Sequence, residues 1–291
     1  MKSAKFNEIT IIGPGLIGSS LGLALKKRNI AKKIVGIDFS RKNINNALRN
    51  KSIDEGRLKI DERINESDII FICTPVSIID EIAKSIYPYL SNSSIVTDVG
   101  SVKNCFSKKT INLFQKKSFL VPGHPIAGTE NSGAISAKKD LFEKKWCILT
   151  PLKTHKKNNI IANIWKVVGM KISLMTIDEH DKIMSITSHL PHLLAFTIVV
   201  TAFNIDLKKK EKLINFSAGG FKDFTRIGSS DPKMWVDIFL HNKKYLLKTL
   251  DNFNKDINKL KKLIKSSNEN KIFETLNRNK EIRKSILKLS D

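Results

Sequence analysis

Cysteine is scarce in this sequence, and arginine is scarce for so basic a chain. The three cysteines, Cys73, Cys105 and Cys147, stand far apart and are odd in number. That excludes a disulfide framework and points to a reducing compartment. With no Cys-x-x-Cys pair there is no zinc ribbon, and no metal is expected. No charged-then-apolar signal segment opens the chain, so the cytoplasm is the expected location. Arginine supplies 8 of the 51 basic residues and lysine the other 43. The lysines are spread along the whole chain without interleaved aromatics, as solvated faces are. No nucleic-acid partner is expected from them. The net charge of +23 still favours anionic small molecules.

Long uncharged runs are few. Ile9 to Leu25 is short of the ~20 apolar residues needed to span a bilayer, and glycines interrupt it. Ile183 to Ile205 is long enough, but Ser185, Ser188, His189, Pro191 and His192 lie in it. These fit a buried helix of a soluble protein, with no membrane partner.

What is present begins at Gly13-Pro14-Gly15-Leu16-Ile17-Gly18, between a β-like run and a helical one. Gly13 permits the tight turn, Gly15 lets backbone approach a pyrophosphate, and Gly18 lets helix and strand pack closely. Ser19 to Lys27 reads as a helix, whose N-terminal N–H groups and positive end suit phosphates, and Leu16 and Ile17 are expected beside the cofactor with the glycines. A second strand, Ile34 to Ile37, ends at Asp38. A carboxylate there accepts from a ribose 2′-hydroxyl and repels a 2′-phosphate. The expected cofactor is NAD rather than NADP, although Arg41 and Lys42 lie close by.

Strand and helix patterns then alternate. Strands are expected at Asp68–Cys73, Ser94–Thr97, Phe119–Val121, Trp146–Thr150 and Lys171–Met175. This predicts an α/β Rossmann domain, a doubly wound parallel sheet over residues 1–177. Ligands bind such sheets at the carboxyl ends of strands. Gly13, Asp38, Thr74 with Pro75, Ser101 and His124 all sit at predicted strand ends, so one crevice could collect them. His124 stands in the polar, glycine-rich loop Gly123 to Gly133.

After about residue 177 the alternation stops, and an all-α domain is expected over 178–291. His189 and His192 share one helix face. Packed imidazoles, a substrate role or a metal all fit that spacing, though neither a carboxylate nor a cysteine is near. Arg226 is the only arginine between Arg63 and Arg278. It lies in a polar stretch, 217–232, before Trp235. Its planar fork can grip a carboxylate bidentately, as an ammonium cannot; an internal salt bridge to Asp223 or Asp231 is the other reading. Leu246, Leu250, Phe253, Ile257, Leu260 and Ile264 form a heptad-like helical seam. A helical half too small for a large core of its own suggests a homodimer.

The segments GPGLIGSS, CTPV, DVGSVK, GHPIAGTENSG, SHLPH and DFTRIGSSDPKMW occur in the order seen in prephenate and arogenate dehydrogenases, the TyrA family. The chain resembles that family from about residue 8 to 265. The resemblance implies NAD(P)-dependent oxidative decarboxylation in tyrosine biosynthesis, and with Asp38 the expected reaction is the NAD-dependent conversion of prephenate to 4-hydroxyphenylpyruvate. Arogenate, or both substrates as in cyclohexadienyl dehydrogenases, is the alternative, and a β-hydroxyacid dehydrogenase is a more distant one. By matching motifs, His124 resembles the catalytic histidine and Ser101 the serine that supports it. Arg226 resembles the arginine that grips a substrate carboxylate. His192 and Trp235 resemble pocket residues, and Thr129 and Glu130 are expected at the substrate. The family's helical part is a dimerisation domain.

Overall fold

In the computed structural model, residues 5–116, 119–129, 131–205 and 215–290 are described. Packing groups the chain into two compact units, Met1–Lys243 and Lys244–Asp291.

The first unit opens with β1 (Phe6–Ile12), α1 (Leu16–Lys27), β2 (Ala31–Ile37), α2 (Arg41–Arg49), β3 (Glu55–Arg57) and β4 (Ile69–Ile72). It continues with α3 (Ile79–Ile86), β5 (Ile95–Asp98), α4 (Lys108–Phe114) and β6 (Phe119–Leu120). The six strands form one parallel sheet in the order β3-β2-β1-β4-β5-β6. Both faces are covered, which is why the central strands are continuous apolar runs. Along β4, Ile69 and Phe71 pack into one core while Ile70 and Ile72 pack into the other. That is the two-residue alternation of strand side chains. The short edge strand β3, Glu-Gly-Arg, carries no apolar pattern and had no counterpart among the expected strands.

The expected single sheet ends sooner than its pattern implies. After β6 the chain leaves the ladder at Pro122 and enters a second, three-stranded sheet. Its strands are β7 (Gly123–Pro125), β8 (Trp146–Leu149) and β9 (Lys171–Leu174), with α5 (Lys156–Val167) between the last two. β7 runs antiparallel to β8 with His124 opposite Ile148, and β8 and β9 are parallel. Pro122 has no N–H to extend the first ladder, and its carbonyl accepts instead from Thr150 N at 2.9 Å. His124 therefore lies inside a short strand rather than in a loop beyond one.

Helices follow: α6 (Ile177–Met184), α7 (Leu190–Ile205), α8 (Gly219–Arg226) and α9 (Pro232–His241). Thr176 caps α6, in a capping box with Glu179. A wide π turn, Ser185–His189, joins α6 to α7. Pro191 explains its position, because it cannot donate to the carbonyl four residues back. The stretch 219–226 within the expected polar loop is helical. In the second unit α10 (Lys243–Lys265) and α11 (Glu269–Ser290) are joined by a turn in which Ser267 takes φ 48°.

One buried ion pair ties the two sheets. Lys103 is wholly buried, and its ammonium bonds both the Asp98 carboxylate and the Gly123 carbonyl. Asp98, the last residue of β5, also accepts from Gly123 N at 3.1 Å and Gly100 N at 2.8 Å. Both backbone groups of Gly123 are thus held, and His124 is the next residue. Removing one partner of such a pair leaves an uncompensated charge in the core, at a cost of about 3–5 kcal/mol. Lys103→Met should lose stability of that order in urea unfolding followed by circular dichroism. A surface change such as Lys259→Met should lose almost none.

Candidate active site

The turn after β1 is built for close approach. Gly13 takes φ 84°, and a Cβ on it would stand 2.8 Å from the Cys73 carbonyl. A Cβ on Gly18 would stand 2.5 Å from the Gly13 carbonyl. A Cβ on Gly15 would meet nothing within 4 Å, so its outer side is open. No side chain caps α1, which leaves the first N–H groups, those of Leu16 and Ile17 among them, available to an anion. A cleft of about 320 Å³ runs along this edge, lined by Gly13, Gly15, Asp38, Thr74, Pro75 and Ile82, among others. Asp38 is held by Ser40 N at 2.8 Å and Asn43 Nδ2 at 3.0 Å. The Thr74 hydroxyl is buried with no hydrogen-bond partner, a polar atom that a ligand in the cleft would satisfy. Residues of these types fit a dinucleotide: open amides for phosphates, a fixed carboxylate for a ribose.

His124 is half-buried, and its Nδ1 lies 2.9 Å from His180 Nε2. His180 is fully buried, and its Nδ1 lies 2.7 Å from Asp181 Oδ1. Asp181 accepts the backbone N–H groups of Lys103 and Asn104 at 2.8 and 2.9 Å. Asn242 Nδ2 donates to the Asp181 carbonyl at 2.7 Å and lies 3.0 Å from His189 Nδ1. Segment 98–104 therefore holds both ends of the arrangement. Its side chains fix Gly123 beside His124, and its amides fix Asp181 beside His180. Burial pushes the His124 pKa well below the ordinary imidazole value, and the neighbouring His180, Lys103 and His189 add to this. Burial likewise lowers His180, and His189 to about 4. These imidazoles are neutral at neutral pH, so His124 is competent to accept a proton.

A second group lies along α7 to α9. The His192 ring stacks on Trp235 at 3.8 Å between centroids, and its Nδ1 donates to the Ser188 carbonyl at 2.9 Å. That tautomer leaves Nε2 as an acceptor. Burial lowers the His192 pKa, the Ser188 carbonyl raises it, and the nearby Arg226 charge lowers it. His189 links the two groups, edge-on to Trp235 at 6.2 Å. The Trp235 indole N–H is buried without a partner. Arg226 ends α8 exposed, and among the described residues it has no ion pair. The expected alternative partner Asp231 instead caps α9 through Lys233 N at 2.9 Å.

Ser101 is half-buried between the Asp98 and Lys103 anchors, and no hydrogen bond joins it to His124 among the described residues. Thr129 accepts from Asn131 N at 3.3 Å, and no bond joins it to the histidines. Glu130 lies outside the described residues. Sequence reasoning missed His180, Asp181, Asn242, and the paired roles of Asp98 and Lys103. A charged Lys103 at the end of an apolar run, and the Glu-His-Asp run at 179–181, were the available signals.

Two family models match the chain. The prephenate dehydrogenase nucleotide-binding domain covers residues 21–174, and the prephenate dehydrogenase dimerization domain covers 176–278. Cyclohexadienyl dehydrogenase of Zymomonas mobilis is 35% identical over 272 residues, 92% of each chain. Prephenate dehydrogenase of Bacillus subtilis is 34% identical over 274 residues, 92% of this chain and 72% of the relative. Among solved structures, prephenate dehydrogenase from A. aeolicus, in complex with hydroxyphenyl propionate and NAD+, superposes with a TM-score of 0.89 at 38% identity. That match covers 98% of this chain and 100% of the other. Synechocystis arogenate dehydrogenase gives 0.81 at 27% identity, over 96% and 99%. Fold, cleft and histidine cluster thus sit in a sequence that matches one family along nearly its whole length, and the chain belongs to the prephenate dehydrogenase family.

Proposed function

We propose that this chain catalyses the NAD-dependent oxidative decarboxylation of prephenate to 4-hydroxyphenylpyruvate, with His124 as the base. The observation that carries this reading is the geometry of His124, held at Nδ1 by His180 with Nε2 free of any described partner. Residues 1–177 would hold the dinucleotide, and residues 178–291 would supply the remaining pocket and the subunit contact. Prephenate carries a ring hydroxyl and, across the ring, a carboxylate. His124 accepts the hydroxyl proton at Nε2, and Ser101 supports the same oxygen. Departure of the ring carboxylate as CO2 aromatises the ring and drives the reaction. Bound NAD would supply the hydride acceptor, held by Gly13 to Gly18, Asp38, Thr74 and Pro75. Arg226, exposed and unpaired among the described residues, offers its guanidinium to a substrate carboxylate. His192, Trp235, Thr129 and Glu130 complete the substrate side. The reducing cytoplasm suits a chain whose three cysteines are free thiols.

A second reading, that the chain also accepts arogenate, is favoured by its 35% identity to a cyclohexadienyl dehydrogenase. NADH formation with each substrate in turn separates the two readings.

Subunit pairing is supported by apolar surface in the helical part. The helix Ile177–Asn204 is 28 residues long, yet little of it is buried within the single chain. Val200 is 57% exposed on α7 and Ile264 61% exposed on the α10 seam. Light scattering at micromolar concentration should report a homodimer; a monomer would count against the pairing.

His124→Asn keeps shape but not basicity. Turnover should fall by about two to four powers of ten, with NAD binding by fluorescence titration unchanged. Because burial depresses the His124 pKa, the acid limb of kcat/KM should lie below pH 6.5.

Arg226→Lys retains charge but loses the fork, so KM for prephenate should rise while KM for NAD holds. Arg226→Ala should cost about 1.5–3 kcal/mol of substrate binding, the worth of a charge-assisted hydrogen bond, without lowering the melting temperature. With the Asp38 carboxylate held at the cleft by Ser40 and Asn43, catalytic efficiency with NAD should exceed that with NADP, and Asp38→Ala should narrow the gap. A higher efficiency with NADP would point instead to Arg41 or Lys42 as phosphate ligands.

A further inference from the structure

The His124 ring does not stand alone; its partners touch neither the predicted cofactor cleft nor the substrate side of the ring. Its Nδ1 meets His180 Nε2 at 2.9 Å, and His180 Nδ1 meets Asp181 Oδ1 at 2.7 Å. Asp181 is fixed by two backbone donors, Lys103 N and Asn104 N. A carboxylate only accepts, so His180 Nδ1 carries a proton and donates it. His180, being neutral, then accepts at Nε2, which requires His124 to hold its proton at Nδ1. That leaves the lone pair of His124 at Nε2, the atom without a described partner. Asp181 thus sets the tautomer of a ring two residues away along the hydrogen-bond chain.

We propose that His180 and Asp181 are positioning residues for the dehydrogenation and form a relay that takes up the proton His124 receives. The proposal rests on the assignment of His124 as the base. As the substrate hydroxyl proton arrives at His124 Nε2, the Nδ1 proton passes to His180 Nε2. One N–H bond forms and one breaks at His124, which stays neutral. His180 becomes the imidazolium, with its Nδ1–H still on the Asp181 carboxylate. The positive charge therefore comes to rest beside a buried anion instead of at the mouth of the site.

Burial and the Lys103 ammonium weigh against a charge on either ring, and of the two only His180 has a carboxylate against it. The Lys103 ammonium faces the cluster from segment 98–104, with Asp98 as its own counter-ion. His189 faces it from the π turn, neutral and bonded to Asn242. Of these groups only Asp181 touches His180 with a negative charge. The two histidines repel when both are charged, so the pair takes up one proton and its titration belongs to the pair.

His180→Gln tests the relay. The Gln side-chain oxygen can still accept from His124 Nδ1, which preserves the tautomer, but it cannot take a proton. Turnover should fall roughly tenfold to a hundredfold, a part of the 10²–10⁴ that a positioned base supplies. The acid limb of kcat/KM should move to lower pH, because the proton can no longer be shared toward Asp181. KM for prephenate and NAD binding should hold. His124→Asn combined with His180→Gln should be no slower than His124→Asn alone, as residues acting as a unit behave. Wild-type turnover and an unmoved limb in His180→Gln would reduce His180 to a packing element and overturn the relay. So would a loss equal at every pH, or losses that multiply in the double variant. If His124→Asn itself turned over normally, the base assignment would fall first and the relay with it. A slow His124→Asn beside a normal His180→Gln removes the relay alone.

Discussion

Water does not reach the ion pair on which the site is mounted. Lys103 and Asp98 are both wholly buried, and placing two charges there costs desolvation energy that attraction alone does not guarantee to return. What the pair supplies is geometry. Its members bind each other and then use their remaining capacity on the backbone: Asp98 on Gly100 and Gly123, Lys103 on the Gly123 carbonyl. The backbone amides of Lys103 and Asn104 go to Asp181. One short segment thus fixes the strand that carries His124 and the helix that carries His180. Gly123 accepts this hold because it is small: a Cβ there would stand 3.0 Å from a Leu149 methyl and 3.2 Å from the Asp98 carbonyl.

The second sheet follows from the same constraint. A histidine at the carboxyl edge of the large sheet would have no strand partner if the chain simply ran on from β6 as loop. Placing His124 inside β7, paired to β8, supplies that partner. The π turn does similar service on the helical side. It carries His189 inward to Asn242, and its Ser188 carbonyl accepts from His192. Irregular backbone at both points coincides with an imidazole placed by a hydrogen bond, where π turns are often functional.

Much of the architecture is legible in the residues. The glycine spacing at 13, 15 and 18 has a steric reason that the atoms repeat, since two of the three positions cannot hold a Cβ without collision. Continuous apolar runs bounded by Asp38, Thr74 and Asp98 read as buried parallel strands, and they are. The polar edge strand Glu55–Arg57 escaped because three residues without apolar alternation carry no periodic signal. The second sheet escaped because Trp146–Leu149 looks the same in either sheet: composition reports burial, not partner. Residues 219–226 read as loop from their glycines and serines, whereas Phe221, Phe224 and Ile227 keep a helical spacing.

Sequence by itself determined the glycine turn at 13–18, the strand ending before Asp38, the change from strands to helices near 177, and the family. All of these are local patterns, or motifs in a fixed order, and a local pattern is written in adjacent residues. Tertiary structure alone decided which groups surround His124. His180 is 56 residues from it, Lys103 is 78 from Asp181, and Asn242 is 53 from His189. No spacing rule connects such positions. Their meeting is fixed by how two sheets and a bent helix pack, and that packing answers to the whole core rather than to any segment of it.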